Sequence, residues 1–101
     1  MKAILIYPDK HSIEMIDISG HEDIAKIIGF DTIASDEIGK AGDHLYFDED
    51  CFLRGSSGRF QLDSLAPVAG RAVIVGTADG GNTLREVATD MDSLRGRIKY
   101  L

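Results

Sequence analysis

A chain of 101 residues and 11.0 kDa is one domain, residues 1–101, with room for a single modest core. Apolar content of 44%, charged content of 28% and a mean hydropathy of −0.06 exclude a disordered tail, a disulfide framework and a membrane protein. A net charge of −6 with a pI near 4.8 argues against nonspecific binding to nucleic acid, and a lone cysteine, which permits no intramolecular disulfide, points to a reducing compartment.

Residues 2–7 are almost continuously apolar, the pattern of a strand covered on both faces. They are too short for a signal h-region, with Pro8 and Asp9 directly behind. No window approaches about eighteen apolar residues, so a cytoplasmic protein with no membrane partner is expected. The Pro8–His11 tetrapeptide supplies a turn. Residues 12–18 return as a second strand whose apolar positions shift phase, from Ile13 and Met15 to Ile16 and Ile18, as a bulge or a twisted two-faced strand would require.

From Ser19 the period changes. Ile24, Ile27 and Ile28 share one helical face, Ser19 and Glu22 form a capping box, and Gly29 suits the helix C-terminus. Residues 30–38 and 44–47 read as strands, the acidic turn Asp48, Glu49, Asp50 follows, and Cys51, Phe52 and Leu53 are expected to return as a short strand. Residues 54–59 form a loop without apolar residues, and 60–65 stay open between a strand and a helical turn. Residues 71–77 hold the clearest buried strand. A glycine turn at 80–82 and an edge strand at 83–87 come next. Thr89 and Asp92 cap a final helix on which Met91, Leu94, Ile98 and Leu101 recur, with Arg95, Arg97 and Lys99 at its negative end.

This order of features resembles the small family catalogued as domain of unknown function 3846, across essentially the whole chain. The resemblance is carried by the start Met1-Lys2-Ala3-Ile4, the helix end Ile28-Gly29, the acidic turn running into Phe52-Leu53-Arg54-Gly55, and Gly70 to Gly76 with the glycine turn and capped helix behind it. Ser56 to Arg59 depart from the family pattern, which reads Pro-Asn-Arg-like there. The resemblance implies a short accessory or anti-defence protein carried on phages, plasmids or other mobile elements, and it assigns no catalytic residue.

The residues themselves narrow the chemistry. Gly76 to Thr83 has the glycine spacing of a phosphate-binding loop, but Asn82 stands where the lysine is needed, and a turn is the expected reading. His11, His21, His44 and Cys51 match no zinc spacing, and Asp48 to Asp50 lack the spacing of a calcium loop, so no metal and no cofactor are expected. Ser56, Ser57 and Cys51 with His44 supply the residue types of a nucleophilic enzyme without an elbow motif, so catalysis is not expected. The aromatic residues Tyr7, Tyr46, Phe47, Phe52, Phe60 and Tyr100 are read as core rather than as a stacking surface for nucleic acid.

The expected fold is α+β: a twisted mixed or mainly antiparallel sheet of five to six strands, with two short helices on one face covering Ile4, Ile6, Val73 and Val75. Strands apolar on both faces then call for a covered second face, hence a possible homodimer. Residues 1–53 carry a charge balance of −8 and residues 54–101 one of +2. Two functional expectations follow. One is a non-enzymatic protein that meets a basic host or phage protein through its acidic surface. The other is a small-anion or nucleotide binder using the loops at 54–59 and 76–82. The candidate binding residues are Arg54, Ser56, Ser57, Arg59, Asp48, Glu49 and Asp50, with Arg54 and Arg59 as an anion or carboxylate clamp.

Overall fold

Lys2–Tyr7 form strand β1, and Ser12–Asp17 form β2. They pair antiparallel in unbroken register from Lys2 opposite Asp17 to Tyr7 opposite Ser12, so the phase shift in β2 is twist and not a bulge. The chain is described by a computed structural model at all residues except Ser56 and Ser57. The helix α1 (His21–Ile28) ends at Gly29, whose φ of 92° is the left-handed conformation that glycine takes at no steric cost. Its start differs from the expected capping box. Gly20 is the cap residue, and the Asp23 carboxylate accepts from the Ser19 N–H at 2.6 Å instead.

Strands β3 (Ile33–Glu37) and β4 (Asp43–Asp48) follow, then β5 (Arg59–Leu62), β6 (Val68–Ala69), β7 (Ala72–Ala78), β8 (Thr83–Arg85), the helix α2 (Met91–Arg95) and β9 (Ile98–Tyr100). A six-stranded antiparallel sheet runs β2-β1-β7-β4-β3, with β8 paired to the far part of β7, and β2 and β3 form its edges. A second sheet of three strands runs β6-β5-β9.

The strand β7 is the wall between two cores. Ile4 lies opposite Ile74, and Ile6 opposite Ala72; these four share one face with Leu45. Val73 and Val75 point the other way with Ala3 and Tyr46. The first face is covered by the small sheet and α2, through Phe60, Leu62, Val68 and Leu94. The second is covered by α1, through Ile24 and Ile28. Each fully buried large side chain stabilises the fold by about 1.5–3 kcal/mol.

The two helices therefore lie on opposite faces, not on one. The one-face expectation grouped Ile4 and Ile6 with Val73 and Val75, and the Ile4–Ile74 register puts these pairs on opposite sides of the pleat. Both faces of the central strands are thus buried within one chain, which removes the packing reason for a homodimer. The C-terminal helix is also shorter than expected. Asp90, not Thr89, is its cap, accepting from the Ser93 N–H at 2.8 Å, and Gly96 closes it. Ile98 and Tyr100 then satisfy a period of two as well as the helical one, and pairing with β5 decides in favour of strand. Cys51–Leu53 form a single 3-10 turn instead of a strand.

Candidate functional site

At the end of β4 the chain buries Asp48, which is 3% exposed. Its carboxylate accepts from Arg54 Nε at 2.9 Å, from the Asp50 N–H at 3.0 Å and from the Thr32 hydroxyl. Burial pushes its pKa up, but the hydrogen bonds from Arg54, Thr32 and Asp50, with the Arg54 charge, outweigh that and hold the group below its ordinary value. Arg54 Nη2 donates to the Thr32 hydroxyl at 3.0 Å, and its guanidinium lies 4.2 Å from the centre of the Phe30 ring. Arg54 is therefore a brace that ties the turn after β4 to the segment before β3.

Beside this brace lies a cleft of about 290 Å³. Tyr7, Pro8 and Asp9 form one wall, Ile28 and Phe30 a second, and Asp48, Cys51 and Arg54 a third; Ala69, Gly70 and Arg71 close it. The Arg71 guanidinium sits 5.8 Å from the Tyr7 ring centre, and Lys10 Nζ 5.2 Å from it. Cys51 is buried, its Sγ accepting from the Ala69 N–H at 3.4 Å, so it acts as a small packing residue.

Of the expected site residues, Asp48 and Arg54 come together, as partners of each other. Asp50 turns its N–H to Asp48, and Glu49 is exposed, its N–H donating to the Thr32 carbonyl at 2.7 Å. Arg59 stands at the start of β5 with its guanidinium 5.5 Å from the Phe52 ring centre. The structure brings Arg54 and Arg59 each onto an aromatic ring. With Nε and Nη2 of Arg54 already engaged, the pair as a free clamp is not what is built. Ser56 and Ser57 lie outside the described residues.

The loop at 76–82 does not join this site. Gly76 pairs with Asp43 at the start of β4, while Arg54 binds Asp48 at its end, about 17 Å away along an extended strand. His44 and Cys51 are likewise separated: His44 Nδ1 lies 3.3 Å from the Ser35 hydroxyl, and Cys51 belongs to the core on the sheet's other face. Among the described residues, no group of three or more His, Cys, Asp or Glu is placed to hold a metal ion, and no helix is long and apolar enough to cross a membrane.

Two features were missed from the sequence. Phe52 is 53% exposed and Leu53 is 81% exposed, side by side, where a returning strand would have buried at least one of them. Arg71, at the expected start of a strand, stands just before β7 and lines the cleft. No family model matches the chain, and no curated protein or solved structure matches it.

Proposed function

We propose that this is a small non-enzymatic binding protein that acts by protein–protein contact through the turn after β4. The observation that carries the reading is the consecutive exposure of Phe52 and Leu53, at 53% and 81%. Phe30 is exposed as well, and Arg54 and Arg59 lie against the rings of Phe30 and Phe52. Aromatic and arginine side chains beside an exposed leucine have the composition of an interface centre. The fitting partner offers an apolar pocket rimmed by carboxylates. This differs from an acidic face meeting a basic protein, since the acids of the first half are dispersed: Asp43 and Asp48 are buried, and the others are divided among β2, α1, β3 and the turns. An accessory role on a mobile element is the setting that the family resemblance suggests for such a module.

The test compares the wild-type protein with Leu53→Asp as bait in host lysate, at low and moderate salt. The variant melts like the wild type, because surface changes away from packing stay within about 0.5 kcal/mol. Proteins held by the wild type and lost by the variant support the reading. An identical set on both baits, or none on either, sinks it.

A further inference from the structure

We infer that the cleft between Tyr7, Phe30 and Arg71 binds a small oxyanion, a phosphate ester or carboxylate carried on a short apolar or aromatic body. The argument begins with charge. Arg54 and Asp48 neutralise each other, and Asp9 has a partner of its own. Arg71 makes no ion pair among the described residues, so its guanidinium is a cation of the lining that a ligand can pair with. Lys10 Nζ lies 5.2 Å from the centre of the same Tyr7 ring and adds a second cation near that ring, in a protein whose net charge is −6.

Geometry supplies the second step. A guanidinium packed against a ring is held in orientation while its N–H edge stays open, and that edge matches two oxygens of a phosphate or carboxylate. Gly29 lies beside Arg71 at the end of α1. A Cβ there would stand 3.5 Å from Arg71 Nη2, an ordinary contact, so it is the φ of 92° that favours glycine, and the helix end and the guanidinium are close neighbours. Gly70, with φ of 79°, makes the turn that delivers Arg71 to the cleft.

Size and lining supply the third. About 290 Å³ lies at the lower edge of ligand-binding volumes, which excludes large cofactors and suits a ligand of few atoms. Ile28, Phe30, Tyr7 and Ala69 give that ligand an apolar seat beside the cation. The cleft adjoins the proposed protein-binding turn and shares Phe30 and Arg54 with it, but Phe52 and Leu53, which carry that reading, do not line it.

The experiment titrates the full chain with inorganic phosphate, phenyl phosphate and benzoate, following backbone amides by NMR. The expected result is saturable shifts at Tyr7, Phe30, Gly70 and Arg71, with an aromatic anion binding more tightly than inorganic phosphate. The stronger of phenyl phosphate and benzoate identifies the anion as phosphate or carboxylate. Arg71→Met should weaken binding about tenfold or more, since it removes a charge-assisted pair. Should that variant not fold, Phe30→Ala serves in its place: it should reduce the aromatic anion to the affinity of inorganic phosphate and leave the latter unchanged. Leu53→Asp should titrate as wild type even where it loses protein partners. Absence of saturable shifts with all three probes at millimolar concentration overturns the inference, as does wild-type affinity in Arg71→Met.

Discussion

Asp43 and Asp48 open and close the same strand, both are buried, and they solve that problem differently. Asp48 has a cation. Asp43 makes no ion pair among the described residues; it accepts from the Ala88 N–H at 2.9 Å, the Thr89 N–H at 2.8 Å and the Thr89 hydroxyl at 2.6 Å, which pins the segment leading into α2. Asp43→Ala would leave these part-buried donors without their acceptor. A donor fully buried without a partner costs about 1–3 kcal/mol, an upper bound for each here because Ala88 is exposed and Thr89 half-buried. Urea denaturation should show a loss of about 1–3 kcal/mol, with Asp43→Asn falling between variant and wild type. Asp48 predicts a pH dependence. Its folded pKa lies below the ordinary 3.8, so its contribution is present above that value and fades as pH falls through the lower, folded value. Asp63 acts in the same direction, held low by its hydrogen bond from Arg97 at 2.6 Å and by the Arg97 charge. Thermal melts between pH 7 and 2 should therefore drop on the acid side, and Asp48→Asn should flatten part of that drop while lowering stability at pH 7.

Element types were more legible than their faces. Continuous apolar runs identified β1 and β7, and the spacing of Ile24, Ile27 and Ile28 identified α1. A run apolar at every position says that both sides are covered but leaves open which residue faces which cover. That information resides in the Ile4–Ile74 register, a pairing between distant segments that no local pattern encodes. The end of the chain failed for another reason: residues 91–101 fit a helix and a helix-plus-strand nearly equally, and tertiary pairing chose. At five residues, α2 cannot stand on its own propensity and depends on its cap and its anchor. Asp90→Ala should cost about 1 kcal/mol through the lost bond to the Ser93 N–H. Leu94→Ala, removing a fully buried side chain between the sheets, should cost about 2–5 kcal/mol. Equal losses in chemical denaturation would mean that the cap, not the core contact, holds the element.

At the scale of the molecule the layers are α1, the six-stranded sheet, and the three-stranded sheet with α2. The α+β class was readable from composition and period. The second sheet was not, because β6 is two residues long and β5 and β9 meet only through pairing across about a third of the chain. The candidate site was legible in part. The acidic turn and Arg54 do belong together, yet as a brace, and the exposed turn residues were hidden by a strand-like Cys51-Phe52-Leu53 run. Arg71 could be found only through its neighbours: Tyr7 and Gly29 are remote in sequence and adjacent in the fold.

The two edges of the large sheet have a consequence for colloidal behaviour. An uncovered strand is a template on which another molecule can add its own, and proteins blunt such strands with charge. The edge β2 carries Glu14 and Asp17, and the edge β3 carries Asp36 and Glu37, all exposed. Like carboxylates on both edges would face each other in any edge-to-edge stack of copies, so each molecule repels the growth of a ribbon. Replacing Asp36 and Glu37 by threonine keeps strand propensity and removes that repulsion along β3. The variant should melt within about 1 kcal/mol of wild type when dilute, since both positions are solvent-facing. At high concentration near neutral pH it should develop turbidity and thioflavin fluorescence while the wild type stays clear. Should both remain clear, the edges are protected by twist or shortness, and the acids serve another end.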